Sequence, residues 1–184
     1  MLKIGRNFIE SEDAILRPAS DYTSFAGFSC GDRDLDDFIQ NDAEQYGRQL
    51  LAVTYSYHLK DNGTYLPPVA FVSLSNDRLQ INSTRKSKKF VRAKHRKDYP
   101  AAKIGRLGVL KGMQGNSVGS SLIFLLKRLF ITDNRTGCRF LTVDAYNNPR
   151  TINFYLKRDF LFLTQKDTDE PTRLMWFDLA SFAE

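Results

Sequence analysis

Apolar residues along this chain switch between two periods, and the switches lay out its elements. In "RDLDDFIQNDAEQYG" (33–47), Leu35, Phe38, Ile39, Ala43 and Tyr46 fall near i, i+3, i+4, i+8 and i+11. That spacing predicts an amphipathic helix, with Gly47 as its stop. "AILRPA" (14–19) reads as a short strand closed by Pro18. "LLAVTYSYHL" (50–59) and "PVAFVSLS" (68–75), rich in β-branched and aromatic residues, flank the turn signal "DNG" (61–63) and predict an antiparallel hairpin. Further on come a strand over 102–110, a helix from about 117 to 132, a strand over 138–146 and a helix over 149–159 that opens on Pro149. "FLFLTQ" and "RLMWFDL" form a last hairpin. Residues 102–146 are thus strand, helix, strand, which demands a parallel pair with a right-handed crossover. The remaining strands are antiparallel, so the sheet is mixed rather than doubly wound.

Composition narrows the class without naming it. The 184 residues, 42% of them apolar, suit a single domain spanning 1–184 with one substantial core. No apolar run is long enough to span a membrane. The first thirty residues carry acids and no clean apolar stretch, so a cytoplasmic protein is expected. Two cysteines, Cys30 and Cys138, are too few for a disulfide framework and read as buried free thiols. With His58 and His95 at no ligand spacing, no metal is expected. The net charge of +6 is uneven. Arg85, Lys86, Lys88, Lys89, Arg92, Lys94, Arg96 and Lys97 form a basic block, either a solvated segment or an anion-binding patch, and Asp32, Asp34, Asp36 and Asp37 gather elsewhere.

One turn carries candidate chemistry. "GMQGNSVGSS" (112–121) places glycines and serines between a strand and a long helix. It is neither a P-loop, which needs a Gly-Lys-Ser/Thr ending, nor the Gly-x-Gly-x-x-Gly dinucleotide fingerprint. Generic physics remains. The first amides of a helix lack intrahelical partners, and the helix dipole places partial positive charge there, so a pyrophosphate fits. A tight strand-to-helix turn without a ligand fits equally well.

"QGNSVG" (114–119) resembles the Gln/Arg-x-x-Gly-x-Gly/Ala motif of the GNAT N-acetyltransferases, with Ser117 where that family usually has glycine. "GRLGV" (105–109) is similar to the family's fourth strand. "VDAYNNPRTINFYLKRDF" (143–160) is similar to its fifth strand and following helix: Asn148 and Tyr155 keep the seven-residue spacing, and Asp159 replaces the usual glycine before Phe160. "FSCGDRDLDDFI" (28–39) resembles the first helix of a subgroup that includes GNAT-type toxins. The resemblance covers residues 12 to 180 and rests on order and spacing together.

The resemblance implies a mixed α/β (α+β) fold: a mostly antiparallel central sheet with a splayed parallel pair and helices on both faces. It implies acetyl-CoA as cosubstrate. Leu107 and Val109 would flank the pantetheine arm, and Gln114, Gly115, Asn116, Ser117, Val118, Gly119 and Ser120 would cradle the pyrophosphate. The amide near Val109 would meet the oxyanion, and Tyr155 would protonate the departing thiolate. Read from the residues alone, Tyr155 is a core aromatic as readily as an acid. Asn148 is a helix cap or a cofactor ligand, and Asp144 is a capping carboxylate or an aid to the amine. The implied function is acetyl transfer to a primary amine. An aminoacyl-tRNA-acetylating toxin with an antitoxin partner, a homodimer, and a non-catalytic RNA-binding protein on the same fold stay open.

Overall fold

The computed structural model describes residues 2–80, 98–132, 134 and 136–183. The basic block at 83–97 lies outside the described residues. Among those described, nine strands form one sheet in the order β1-β2-β3-β4-β5-β6-β7-β9-β8. They are β1 (Lys3–Ile4), β2 (Ile9–Glu10), β3 (Ala14–Pro18), β4 (Val53–Asp61), β5 (Thr64–Gln80), β6 (Asp98–Val109), β7 (Phe140–Tyr146), β8 (Leu161–Phe162) and β9 (Thr172–Asp178). The helices are α1 (Arg33–Asp37), α2 (Ala43–Arg48), α3 (Val118–Thr132), α4 (Pro149–Leu156) and α5 (Ala180–Ala183). The sheet is mostly antiparallel with one parallel pair, β6 and β7, which α3 connects. The mixed fold expected from the sequence is therefore present. β1 and β2, two residues each, extend it beyond the predicted strands.

The chain divides into two compact units, Met1–Ser75 with Ile104–Asn134, and Asn76–Lys103 with Arg135–Glu184. In the first, β4 and β5 are joined by Asn62 and Gly63, both at positive φ (+47° and +79°). Two successive left-handed residues make the type I′ turn whose twist suits a two-residue hairpin. The helical stretch after Asp32 departs from the regular pattern predicted for it. Between α1 and α2, residues Phe38–Asp42 form a π turn, in which the Ala43 amide reaches the Phe38 carbonyl. Gly47 does not stop the helix. The end falls beyond Arg48, where Leu50 takes φ +60°. There the Leu51 amide donates to Tyr46 and the Leu50 amide to Gly47, at 2.9 and 3.1 Å, a Schellman closure with leucine at the position glycine usually fills.

The core of this unit gathers Phe25, Phe28, Phe38, Ile39, Ala43 and Phe71. Phe71, on β5, meets the rings of Phe25, Phe28 and Phe38 at centroid distances of 6.1, 5.6 and 6.3 Å. Its ring also lies against Gly108 of β6, where an added Cβ would stand 2.6 Å from Phe71 Cε1. α3 packs on β2 and β3 through its buried residues, Leu122, Leu126 and Leu129 among them.

In the second unit, Leu79, Tyr99, Ala101, Phe140 and Trp176 pack together, and α4 packs on β7. α4 begins at Asn148, whose side chain accepts from the Thr151 amide at 2.9 Å, with Pro149 in its first turn. It closes with the Phe160 amide donating to Tyr155 and the Asp159 amide to Leu156, at 3.2 and 3.0 Å, and with Asp159 at φ +63°. The Tyr155 and Phe160 rings meet at 5.2 Å, the apolar contact that accompanies this closure.

Ser117 and Asp159, the two residues that stand where glycine is usual, thus both hold left-handed backbone, Ser117 at φ +61°. Serine tolerates that region less well than aspartate, and an L residue there costs about 1–2 kcal/mol. Ser117→Gly is expected to raise unfolding stability in urea by up to about 1 kcal/mol, the steric relief less the added chain entropy. Gly108→Ala is expected to lower it by about 1–3 kcal/mol, because the fully buried Phe71 ring must move to admit a methyl group.

Candidate functional site

The turn from β6 into α3 is built by backbone constraint. Leu110 leaves β6 with its amide on the Val69 carbonyl at 2.8 Å. Lys111–Met113 form one 3-10 turn, and Gly115 and Ser117 then turn left-handed at φ +85° and +61°. The intrahelical ladder starts where the Ser121 amide reaches the Ser117 carbonyl at 2.9 Å. The amides of Val118 and Gly119 precede that bond, so the helix itself gives them no acceptor. Gly115, Asn116 and Ser117 are exposed, Ser120 is half-buried, and Val118 and Gly119 are buried. An added Cβ at Gly112 or Gly115 would meet nothing within 4 Å, so the surface is open there.

This donor set suits a pyrophosphate. Helix-start amides, small residues and the positive end of a fifteen-residue helix all favour an anion. Leu107 and Val109, both half-buried, lie on the β6 segment that feeds the turn. The sequence-predicted residues Leu107, Val109 and Gln114 to Ser120 therefore fall together on one strand, turn and helix start of the first unit. The Gln114 side chain points inward, where its Nε2 donates to the carbonyls of Val109 and Cys30, at 2.9 and 2.7 Å.

The aspartates near α1 are absorbed locally. Asp32 caps α1, accepting from the amides of Asp34 and Leu35. Asp34 pairs with Arg106 at 3.3 Å, and Arg106 lies over the Phe38 ring. Asp36 accepts from the Ser29 hydroxyl and the Cys30 amide, each at 2.7 Å. Asp37 accepts from the Asn41 side chain. No local pattern announced that Asp36 and Gln114 both grip the turn at Ser29 and Cys30, since Gln114 lies 84 residues from Cys30. The Cys30 and Cys138 thiols, half-buried and in no disulfide, are each pushed up to about 11 by desolvation, so both are protonated at neutral pH and poor nucleophiles.

Asn148 and Tyr155 belong to the second unit, at the start and within the body of α4. Asn148 is exposed and its Oδ1 serves as the cap of α4. Tyr155 is 5% exposed. Burial pushes its phenol well above the ordinary value, and the nearby Arg158 guanidinium offsets part of that. Arg158 is held over the Phe154 ring, 3.9 Å from its centroid, and donates to the Phe154 carbonyl. Asp144 sits in β7 and forms an ion pair with Lys103, so it caps no helix.

The family model for the GNAT acetyltransferases matches residues 19–160. Among solved structures, a tyrosine-to-phenylalanine mutant of KacT is 21% identical, covering 94% of this chain and 98% of its own, with a TM-score of 0.73. AtaT complexed with acetyl-methionyl-tRNAfMet is 18% identical, covering 93% and 98%, also at 0.73. A mutant AtaT toxin bound to the C-terminus of the antitoxin AtaR and acetyl-CoA is 20% identical, covering 92% and 96%, at 0.68. At these identities the structural likeness speaks for the fold, and the family match reaches further, over most of the chain: the protein belongs to the GNAT family of acetyltransferases.

Proposed function

We propose that this acetyltransferase moves the acetyl group of acetyl-CoA to a primary amine by direct attack, with Tyr155 giving the proton that the departing thiolate takes. The observation that carries the reading is the β6–α3 turn, where left-handed Gly115 and Ser117 precede the Val118 and Gly119 amides, to which the helix itself gives no acceptor. Gly115 to Ser120 would hold the pyrophosphate, Leu107 and Val109 would flank the pantetheine arm, and Gln114 would brace the turn. Asn148, which the resemblance offers as a cofactor ligand, would act through atoms other than its capping Oδ1. Acetyl-CoA, when bound, supplies an acyl group activated as a thioester.

Tyr155 keeps its proton at the phenolic oxygen through the neutral range, because burial disfavours the phenolate. A phenol in that state gives up its proton only to an anion desolvated to a similar degree, and a thiolate leaving beside it would be one. The Arg158 cation acts in the helpful direction, since it stabilises the phenolate formed.

Within this class the acceptor we favour is the amine of an aminoacyl-tRNA. The likeness of fold to AtaT, solved with acetyl-methionyl-tRNAfMet and with the antitoxin AtaR, supports it, as does the resemblance of residues 28–39 to the toxin subgroup. An antitoxin partner and a homodimer belong to the same reading.

Calorimetric titration with acetyl-CoA at low and high salt is expected to show micromolar binding that survives salt, because the pantetheine would be held by apolar and backbone contacts as well as by charge. Absent binding by a folded chain would instead favour a non-catalytic RNA binder, whose affinity would fall steeply with salt. With charged tRNA as acceptor, Tyr155→Phe is expected to lower kcat by about 100-fold while leaving acetyl-CoA affinity intact. Normal turnover by that variant would remove Tyr155 as the acid.

A further inference from the structure

The cradle turn is weakly held by its own backbone. The Met113 amide reaches Leu110 at 2.8 Å, but the Gln114 and Asn116 amides lie 3.4 Å from their acceptors, at the long limit of a hydrogen bond. Stronger anchors come from far upstream. The Lys111 amide donates to the Ser29 carbonyl at 2.8 Å, and Gln114 Nε2 to the Cys30 carbonyl at 2.7 Å. The same Nε2 ties the turn back to Val109, the last residue of β6.

Ser29 and Cys30 are in turn fixed by one carboxylate. Asp36 Oδ2 accepts from the Ser29 hydroxyl and Oδ1 from the Cys30 amide. Desolvation alone would raise this carboxyl, but the Ser29 hydroxyl and the Cys30 and Gly31 amides outweigh it and hold it below its usual value. Gly31, at φ +85°, lets the chain pass close to Lys111, whose Cδ would stand 3.7 Å from an added Cβ.

We propose that Asp36 and Gln114 are positioning residues for the cofactor: they fix the aim of the cradle amides without touching the pyrophosphate, so that the turn before α1 and the cradle order as one piece. The proposal rests on the reading that the cradle holds acetyl-CoA. A half-buried carboxylate accepting charge-assisted bonds is worth more than a neutral acceptor, so its loss is felt along the whole chain of contacts. Gln114 supplies two-way bracing that no acceptor-only side chain can, because both groups it faces are carbonyls.

The test uses the full chain with Asp36→Asn, Gln114→Glu and Gln114→Ala, and Glu44→Gln, from the exposed pair with Arg48, as comparator. Acetyl-CoA affinity is read by calorimetry and amide exchange over 111–118 by mass spectrometry, with circular dichroism reporting the fold. At pH 7, Asp36→Asn and both Gln114 variants are expected to weaken acetyl-CoA by about tenfold or more and to speed exchange in the turn. Glu44→Gln should change neither. Below about pH 5 the protonated Glu side chain donates one hydrogen bond, so Gln114→Glu should regain part of its affinity relative to wild type while Gln114→Ala does not. That rescue is outside the reach of a mere packing defect. Wild-type affinity and exchange in Asp36→Asn and Gln114→Glu would overturn the proposal alone. A wild-type chain that binds no acetyl-CoA would overturn the cofactor reading beneath it.

Discussion

The start of the α3 ladder depends on the left-handed backbone of Ser117, the residue immediately before the helix. Ser117, at φ +61°, reverses the chain so that the helix ladder begins with Ser121 and gives the Val118 and Gly119 amides no acceptor of its own. Glycine would adopt that backbone at no steric cost, whereas serine adopts it against about 1–2 kcal/mol. The surroundings therefore have to hold it. Val118 and Gly119 are buried immediately after it, and Gln114, three residues before it, is tied to two carbonyls. A strained residue persists where its neighbours over-determine it, and this turn is over-determined from both sides.

The second departure from the glycine pattern obeys the same logic at the other end of a helix. Asp159 closes α4 at φ +63°, with the Phe160 and Asp159 amides satisfying the carbonyls of Tyr155 and Leu156. The Tyr155–Phe160 ring contact fixes the exit direction. In both places a residue other than glycine holds the left-handed backbone that glycine would adopt without steric cost, and Leu50 after α2 does the same at φ +60°.

Much of the fold was legible because its signals are local. Asn62-Gly63 dictated the type I′ hairpin, and the strand–helix–strand run at 102–146 dictated the parallel pair. Pro149 marked the start of α4. The strands Lys3–Ile4 and Ile9–Glu10 were not legible, since two residues show no period. Nor was the π turn at Phe38–Asp42, which inserts its extra residue without breaking the apolar stripe of Leu35, Phe38, Ile39 and Ala43. At the site, the glycine-and-serine turn announced itself by composition. The bond from Gln114 to Cys30 did not, because contacts between residues 84 apart are set by the folded sheet and leave no trace in either neighbourhood. The aspartates at 32–37 looked like a charged cluster. Only the folded chain separates them: Asp32 caps a helix, Asp34 forms an ion pair, Asp36 anchors a turn and Asp37 accepts from a side-chain amide.

Tyr155, the proposed acid, shows why a packing role and a chemical role need not compete. Its ring touches Phe154 and Phe160 at 5.0 and 5.2 Å, which by itself is the signature of a core aromatic. The same enclosure raises the cost of the phenolate, which ensures that the oxygen carries its proton at neutral pH. An exposed tyrosine would also be protonated there, but it would offer its proton equally to water and would sit in no fixed direction. Packing thus supplies what a proton donor needs beyond acidity, namely orientation and exclusion of solvent. On the proposed role, Arg158, pinned to the Phe154 ring and carbonyl one turn away, would add the charge that makes release less costly once an anion forms beside Tyr155. On the proposed role, the burial that first argues for a structural residue would also be the condition for a chemical one.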